Sequence, residues 1–511
     1  MTDWTDGYVT DIEYAYAYCQ ELNPVRATLA LLSKGLAVPE FETACELGFG
    51  QGLATNLHAA ASATHWYGTD FMPGQVAFAQ DLNRISDADA RLFDESFEEF
   101  VHRSDLPDFD FIGLHGVWSW INEDNRDLIV SFLRTRLKPG GIVYLGYNAA
   151  PGWSGFAPLR HLMKQFGETM VAPSTGGIDG IAGAVGFADQ FLKANPAFAA
   201  ANPMVVDRFE KVKTQDPAYL AHEYFCANWH PVYFSDMAAR LGAAKLAFAA
   251  PARYLDHLDV LNLTPEQSGF LEQIPDPVFR ESTRDMMIAR RFRSDYWIKG
   301  SRTLLPGVLG DRLRAQRVVL LRPRTEVSLV VRGGLREVEM QEAVYGPILD
   351  ALAGQQPIAI GAVEAAVAEN GLTLPQVVQA LLVLGGDNHL APAQSEEVVA
   401  TARQRTDALN RHIVKLAREG AIIDFLASPV TGGGIRMGRI QHLFLDAHLH
   451  AGTSPADWVD HVWPILAAQG QKIIKDGTEL QSDAENRAAL LEQAERFANT
   501  QLPVFQALQL V

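Results

Sequence analysis

Cysteine is scarce in this sequence, and long apolar runs are missing. Among 511 residues only Cys19, Cys45 and Cys226 are cysteines, and no two of them form a C-x-x-C pair. This spacing argues against a disulfide framework or a zinc ribbon and favours a reducing compartment. No stretch approaches the ~18 uninterrupted apolar residues of a membrane span. The opening residues, MTDWTDGYVT, are acidic and polar, unlike a signal peptide. We therefore expect a cytoplasmic protein without membrane contact.

Basic residues are also in deficit, since 43 lysines and arginines stand against 61 acidic residues and leave a net charge of −18. A surface of this sign is poorly suited to nucleic acid, which needs basic stripes. We expect no nucleic-acid partner, and a partner that is basic or neutral. The chain is 48% hydrophobic, which is enough for a sizeable core and for two to four domains.

The most informative stretch is FETACELGFGQGLATNLHAAASATHWYGTDF. An apolar run ends in an E-x-G-x-G-x-G loop formed by Glu46, Gly48, Gly50 and Gly52, and an alanine-rich helix follows. Asp70 stands just beyond the next predicted strand. This is the pattern of a βαβ unit, in which glycines let a ligand lie against the backbone. An acid about 20 residues further on can accept both ribose hydroxyls.

The spacing of this loop favours S-adenosyl-L-methionine (SAM) over a dinucleotide. The dinucleotide fingerprint is G-x-G-x-x-G, and here the third glycine comes one residue early. Glu46, two residues before the first glycine, is unfavourable beside a pyrophosphate at the helix N-terminus. SAM carries no phosphate, and an acid favours its sulfonium and ammonium groups.

Alternating strand and helix patterns continue through the first part of the chain and predict a parallel α/β sheet of the Rossmann-like class. A helix is predicted after Asn23-Pro24, because an asparagine cap followed by proline is typical of a first turn. Later strands are predicted near 90–93, 109–114 and 142–145, the last of them after the turn LKPGG.

Several runs resemble a known family. The glycine loop is similar to motif I of the class I SAM-dependent methyltransferases. The run IGLHGVWSWINEDNRDLIVSFLRTRLKPGGIVYLGYNAAPGW and the later runs HEY and NWHPVYF resemble bacterial methyltransferases that carry a methyltransferase regulatory domain. The rickettsial protein lysine methyltransferases that modify outer-membrane protein B share this layout. The resemblance is strong over 10–155, moderate over 216–300 and vague beyond.

The resemblance implies a SAM-dependent methyltransferase with appended regulatory and C-terminal domains. It assigns cofactor contacts to the glycine loop, to the acid after the second strand and to the ends of the third and fourth strands. Glu46 is expected beside the methionine end of SAM. Tyr18, judged from the sequence alone, either closes over the cofactor or packs at the edge of the core. The cofactor candidates are Tyr18, Glu46, Gly48, Gly50, Gly52, Asp70, Phe71, Ser96, Phe97 and His115.

Catalytic and substrate candidates follow the fourth and fifth strands and the HEY run. His115, Tyr147 and Asn148 are predicted to form the wall of the site and to orient the acceptor, with His115 either a base or a hydrogen-bonding group. Trp118 either lines a substrate channel or belongs to the core. The HEY run either acts on a substrate amine or forms a helix surface with a buried tyrosine. Its residues, His222, Glu223 and Tyr224, complete the substrate candidates.

Composition divides the chain into four predicted domains. They are a SAM-binding domain at 1–153, a helical insert and regulatory domain at 154–305, a winged-helix-like module at 306–395 and a helical C-terminal domain at 396–511. In this acidic chain the third is expected to bind protein and not DNA. The glycine-rich segment Ser174–Gly186 is a predicted lid or linker.

Two charged clusters lie outside the proposed site. The basic run Arg290–Asp295 binds acids either of its own chain or of a partner subunit, and a homodimer is one expectation. His442, Asp446 and His450 fall on one helical face. Metal binding would need a further ligand, so we predict a polar face near an interface and no metal.

Three hypotheses about function remain open. The first is a protein lysine methyltransferase that works by direct SN2 transfer, and it survives the absence of an N-P-P-Y-type loop at His115-Gly116-Val117-Trp118. The second is a small-molecule or peptide-tailoring N- or O-methyltransferase with His115 as base. The third is a non-enzymatic protein with a relic SAM fold, which the intact loop argues against. A closed pocket under a lid favours the second hypothesis, and an open cleft between domains favours the first.

Overall fold

The computed structural model describes residues 16–171, 177–420 and 423–511. The acidic opening residues, from which we expected no signal peptide, lie outside these ranges. The first part of the chain alternates strands and helices, as predicted. Its elements are α1 (Pro24–Ser33), β1 (Thr43–Leu47), α2 (Leu53–Ala61), β2 (His65–Asp70), α3 (Pro73–Ser86), β3 (Arg91–Asp94), α4 (Phe97–Val101), β4 (Phe109–His115), α5 (Glu123–Arg136) and β5 (Leu137–Asn148).

The residues that begin and end these elements explain their bounds. The Asn23 side chain accepts a hydrogen bond from the Val25 amide at 2.9 Å and caps α1, with Pro24 in the first turn. Strands β1 and β4 are buried along almost their whole length, as expected for parallel strands covered on both faces. Gly140 in the LKPGG turn has φ +84°, a conformation that favours glycine.

The second part of the chain adds helices and two further strands. These elements are α6 (Ala150–Trp153), α7 (Ala157–Met170), α8 (Gly177–Lys193), α9 (Ala197–Ala201), α10 (Pro203–Val212), α11 (Pro217–Leu220), α12 (Phe234–Gly242), β6 (Leu246–Pro251), α13 (Asp259–Asn262), α14 (Pro265–Glu272), α15 (Pro277–Met287) and β7 (Phe292–Lys299). The predicted lid or linker is wrong from Gly177 onward, because that segment is helical despite its glycines. The rest of that prediction, 174–176, lies outside the described residues.

The central sheet takes strands from both of the first two predicted domains. Its order is β3-β2-β1-β4-β5-β7-β6, with β1 to β5 parallel and β7 antiparallel to both of its neighbours. The prediction of a helical second region is therefore corrected for β6 and β7. Strand β7 pairs with the edge that β5 would otherwise expose, and β6 pairs with β7. The order reverses between β1 and β4, and ligands of doubly wound sheets bind outside the carboxyl ends of strands at such a point.

The basic run ahead of and within β7 binds acids of its own chain, which was one of its two predicted roles. Arg293 contacts the carboxylates of Asp285 at 2.8 Å and Asp295 at 2.7 Å, and Arg290 contacts Asp256 at 3.0 Å. These ion pairs join β7 to α15 and to the segment after β6. A buried arginine requires such partners, because an unpaired buried charge is costly.

The third part of the chain combines small sheets with short helices. It consists of α16 (Pro306–Ala315), β8 (Arg317–Leu320), β9 (Val330–Arg332), β10 (Glu337–Glu339), α17 (Glu342–Ala351), β11 (Ile358–Ala359), α18 (Ile360–Ala366), α19 (Leu374–Gly386) and β12 (Leu390–Ala393). Strands β11, β8 and β12 form one antiparallel sheet. This part of the chain thus contains both strands and short helices. Its identity as a winged-helix-like module stays a prediction.

The last part of the chain is mainly helical and packs against the first. It contains α20 (Glu396–Glu419), β13 (Phe425–Ser428), β14 (Gly433–Arg436), α21 (Arg439–His450), α22 (Pro455–Ala468), β15 (Ile474–Lys475), β16 (Thr478–Glu479), α23 (Asp483–Arg496) and α24 (Leu502–Ala507). Helix α20 lies on α2 and α3, and the hairpin of β13 and β14 lies on α2. His58 Nδ1 lies 3.2 Å from the Gly432 carbonyl oxygen, and Asn23 donates to the Thr431 carbonyl at 3.0 Å. One hydrophobic core consequently runs from Cys19 to Leu510.

None of the described helices has the length and apolar character needed to cross a bilayer.

Candidate active site

A cavity of about 2280 Å³ opens at the switch point between β1 and β4. Its walls come from the carboxyl ends of the strands, from residues 16–22, from α10 to α15, from the turn at 332–335 and from the β13–β14 hairpin. Most of the candidate residues meet here. Those that line the cavity are Tyr18, Glu46, Gly48, Gly50, Asp70, Phe71, Ser96, Phe97, His115, Asn148, His222, Glu223 and Tyr224.

The glycine loop uses its own amides internally. The Gly48 amide donates to the Thr69 carbonyl at 2.8 Å, and the Gly50 amide donates to Asp70 Oδ2 at 2.8 Å. The Gly52 amide donates to the Phe49 carbonyl at 2.9 Å. A phosphate-binding loop directs such amides at its ligand, so this arrangement does not suit a pyrophosphate.

Gly52 does not line the cavity, which corrects its assignment as a cofactor contact. It caps the N-terminus of α2 with φ +66°, and a Cβ atom there would collide with the Cβ atom of Ala79 on α3. The third glycine of the loop therefore allows α2 and α3 to approach each other closely.

Two buried carboxylates stand at the loop end of the cavity. Burial raises the pKa of Glu46 to about 8, against a hydrogen bond from the Thr55 hydroxyl, and Asp70 raises it further. Burial also raises the pKa of Asp70 to about 6, although the Met72 and Gly50 amides donate to its carboxylate at 3.0 Å and 2.8 Å. Those amides fix the Asp70 carboxylate and occupy only part of its accepting capacity.

This donor set fits SAM. Glu46 provides a desolvated carboxylate that a cation would stabilise, and Asp70 provides an oriented acceptor for a pair of hydroxyls. Ser96 caps α4 through a reciprocal pair with Glu99 and brings Phe97 to the same cavity, at the end of β3. The acids at the start of α4 thus have the capping role that helix N-termini favour.

His115 is held by a group that the sequence did not single out. Its Nδ1 lies 2.7 Å from the Tyr144 hydroxyl and 3.3 Å from Cys19 Sγ. Burial lowers the pKa of His115 to about 4, with the carboxylate of Glu21 opposing this change and Arg253 adding to it. The imidazole is therefore neutral near pH 7, and Nε2 is the nitrogen left for a ligand. Pairing of β4 with β5 brings Tyr144 to His115, so no local sequence pattern could predict the contact between them.

Tyr147 and Trp118 belong to the core, which corrects their assignment to the wall of the site. Side chains alternate along β5, so Asn148 lies on the same side as Tyr144, while Tyr147 faces the opposite side. The Tyr147 hydroxyl donates to Asp295 at 3.1 Å, and its side chain is fully buried. Trp118 is 1% exposed within the same core cluster, and Trp120 lines the cavity in its place.

Tyr18 both packs and lines the cavity, so its two predicted roles are compatible. Its ring lies 5.3 Å from His58 and 5.0 Å from Phe425, which joins the N-terminal segment to the C-terminal hairpin. Nearby Glu21 also lines the cavity, and its backbone carbonyl accepts a hydrogen bond from Tyr296 at 2.7 Å. No pattern in the sequence had pointed to Glu21.

The HEY run lies on a π-helical turn, Ala221–Phe225. Burial raises the pKa of Glu223 to about 7, and the positive charges of Arg208, Arg160 and Arg291 act in the opposite direction. Tyr224 is buried, as one of the two predictions had it, and all three residues of the run line the cavity. Their roles stay predictions.

Together, the doubly wound sheet, the glycine loop with its two acids and the regulatory region define a class I SAM-dependent methyltransferase, whose cofactor is SAM. Residues 216–299 match the family model described as "Predicted methyltransferase regulatory domain". The chain belongs to the same family as the uncharacterized protein sll1526 of Synechocystis, to which it is 37% identical over 506 residues, 98% of each chain.

Two rickettsial proteins show more distant similarity. The uncharacterized protein RP789 of Rickettsia prowazekii is 25% identical over 342 residues, 65% of this chain and 58% of that protein. The solved structure of PKMT2 from Rickettsia typhi in complex with AdoHcy matches with a TM-score of 0.68 at 17% identity, covering 95% of this chain and 98% of that one. At this identity the match shows a shared fold over the part of the chain that it covers.

Proposed function

We propose that this protein transfers methyl groups from SAM to lysine side chains of a protein substrate. The supporting observation is the size and construction of the cavity. Its volume of about 2280 Å³ exceeds the ~300–1,000 Å³ of typical small-molecule sites. Its walls come from widely separated parts of the chain, which is the open cleft between regions that favours a large acceptor. None of the described residues of α8 lines it, so the predicted lid does not close it.

In the proposed reaction SAM supplies an activated methyl group, so that the amine nitrogen forms a bond to carbon as the carbon–sulfur bond breaks and the amine proton passes to water. The chain then needs to hold, orient and desolvate the reactants and does not need a strong base. A lysine must be neutral to react, and burial lowers the pKa of an amine in such a site, as it lowers that of His115. Neutral His115 offers Nε2 as a hydrogen-bonding group.

The alternative with His115 as a base is weakened by the same geometry. The neutral imidazole of His115, whose conjugate acid has a pKa of about 4, is a weak base and therefore a poor acceptor of a hydroxyl proton near pH 7. The Nδ1 atom is already engaged with Tyr144. An N- or O-methyltransferase of small molecules would also leave much of the cavity empty.

The experiment that tests the proposal is a transfer assay with tritiated SAM, the purified protein and a bacterial lysate, followed by separation of protein from small molecules. The expected result is label on a protein band, located on lysine by mass spectrometry. Label confined to the small-molecule fraction would instead support the alternative. Asp70→Ala serves as the control, since at limiting SAM it should reduce labelling without removing any acceptor.

A further inference from the structure

We propose that the methylated lysine is flanked by acidic residues, which are bound by a group of cavity-lining cations formed by Arg208, Lys211, Arg253 and Arg291. This inference rests on the proposed function and names the class of substrate that the site selects. It runs against the overall charge of −18, which by itself favours a basic partner.

The four cations share the absence of an acidic partner. Among the described residues, none of them lies within ion-pair distance of a carboxylate, although all four line the cavity. By contrast, Arg290, which precedes Arg291 and also lines the cavity, pairs with Asp256 at 3.0 Å. Cations that line a cavity without a paired acid are available to a ligand's anion.

Arg208 is positioned by its neighbours. Its guanidinium carbon lies 3.7 Å from the centre of the Trp153 ring and 4.3 Å from that of Phe156. One nitrogen donates to the Gly152 carbonyl at 3.5 Å, and Tyr224 forms a second hydrogen bond. Burial lowers the pKa of Arg208, so the cation is partly desolvated. A carboxylate bound to Arg208 would stabilise its positive charge in place of the water that burial removes. The planar guanidinium suits a bidentate contact with such a carboxylate.

Arg253 and Arg291 extend this group toward the reaction centre. The guanidinium carbon of Arg253 lies 5.7 Å from the centre of the Phe292 ring, and that ring lies edge-on to His115 at 5.7 Å. Arg291 acts electrostatically on Arg208, Glu223 and Tyr224. The cations therefore occupy positions from the neighbourhood of His115 to the HEY run.

The acids on the walls are distributed differently. Glu46 and Asp70 stand at the glycine loop and Glu21 beside His115, while Asp256 is paired with Arg290. The other lining acids are Glu95, Asp216, Glu223 and Asp424. Glu95 is paired with Arg103 and Asp424 with Arg436. Asp216 accepts a hydrogen bond from the Tyr219 amide at 3.2 Å, and burial raises the pKa of Glu223 to about 7, which reduces its negative charge. The cavity thus has two buried acids at the glycine loop, and beyond His115 its four cations outnumber the acids Asp216 and Glu223. A lysine side chain that reaches SAM would leave its neighbouring residues among the arginines.

The test compares two fluorescein-labelled 11-residue peptides by anisotropy, with the protein saturated with AdoHcy so that no transfer occurs. Both have a central lysine, and four flanking positions are glutamate in one and glutamine in the other. We expect the glutamate peptide to bind at least tenfold more tightly, with the ratio falling as salt screens the contacts. The double variant Arg253→Gln/Arg291→Gln should reduce the ratio to about two or less.

Two control variants accompany this test. Arg253→Lys/Arg291→Lys keeps the charges and should keep most of the preference, whereas a merely structural role of these side chains would not be rescued. Arg312→Gln removes an exposed arginine of α16, away from the cavity, and should change nothing. Equal affinities, absence of binding by both peptides, or a preference that survives the double glutamine variant would overturn the inference. Tight binding of the glutamate peptide without tritium transfer to its lysine would instead refute the lysine acceptor and leave the anion-binding group in place.

Discussion

Asp70 has the most direct part in cofactor binding at the scale of single residues. Asp70→Ala removes the expected acceptor of the ribose hydroxyls and leaves the Gly50 and Met72 amides without their partner. We expect SAM affinity to fall by about 1–3 kcal/mol, roughly 5- to 150-fold in Kd, measured by isothermal titration calorimetry. Asp94 pairs in register with Asp70 at the end of β3 but is exposed, so Asp94→Ala should bind SAM normally. Equal losses in both variants would contradict this placement of the ribose.

Glu46 links stability to pH. Its pKa in the folded protein is about 8, above the ordinary value of 4.5, so the unfolded state releases this proton first as pH rises. The carboxyl therefore lowers the stability of the cofactor-free protein progressively between about pH 4.5 and pH 8. We expect Glu46→Gln to raise Tm by several degrees at pH 8 and very little at pH 5. Thermal unfolding at both pH values measures this difference.

SAM should raise the Tm of Glu46→Gln less than that of the unmodified protein, because the variant lacks the carboxylate that favours a cation. Glu98→Gln, at an exposed position of α4, provides the control and should show neither effect. A pH-independent change in Tm for Glu46→Gln would show that its carboxyl is not desolvated as described.

Four of the predicted residues that line the cavity come from one local motif. Glu46, Gly48, Gly50 and Asp70 lie in a single βαβ unit, where spacing along the chain fixes spacing in space. The error between Tyr147 and Tyr144 has a simple cause, because side chains alternate along a strand and the sequence alone did not set which face of β5 meets the cavity. Trp118 and Trp120 instead belong to a 3-10 turn, Trp118–Trp120, whose geometry brings Trp120 and not Trp118 to the cavity.

At the scale of elements, Gly52 determines how closely α2 and α3 pack. Gly52→Ala combines left-handed backbone strain with a collision against Ala79, and we expect a loss of about 2–5 kcal/mol in the free energy of unfolding. Gly140→Ala has the same backbone strain but no atom within 4 Å of the added Cβ, so about 1–2 kcal/mol is expected there. Guanidinium denaturation of the two variants separates strain from collision. Similar losses would exclude the packing role.

The elements that the sequence misjudged are those whose structure depends on distant partners. The glycines of α8 read as a break, yet packing of this helix against α7 keeps it helical. Strand β7 was missed because its partner β5 lies more than ninety residues earlier in the chain, and β6 was missed because it pairs with β7 across the intervening helices α13 to α15. Capping and turn signals around α1 and β5, which act within a few residues, were predicted correctly.

At the scale of the whole molecule, cofactor binding should be felt by the C-terminal hairpin. Phe425 lines the cavity and contacts Tyr18, and the hairpin rests on α2. We expect SAM to slow amide hydrogen exchange several-fold in 19–22 and 425–436 as well as in the glycine loop. Peptides from α23, which does not line the cavity, report the background. Protection confined to 43–120 would contradict this coupling.

The sequence placed the last region of the chain in a separate helical domain, and that division stays a prediction. Its contribution to the cavity was beyond sequence reasoning, because the contact between His58 and the Gly432 carbonyl joins positions 374 residues apart. The same holds for other walls of the cavity beyond the glycine loop. Their residues are far apart in the chain, and only the fold brings them to one cavity.

The β13–β14 hairpin that lines the cavity also determines which truncations of this protein can be active. A fragment that stops after β7 keeps all seven strands and the whole cofactor loop, yet it lacks the wall supplied by 425–436 and the cover that α20 gives to α2 and α3. Truncations that remove 425–436 should therefore abolish activity although every residue of the cofactor loop remains. Nonsense and frameshift alleles ahead of this hairpin should be as inactivating as those ahead of the glycine loop.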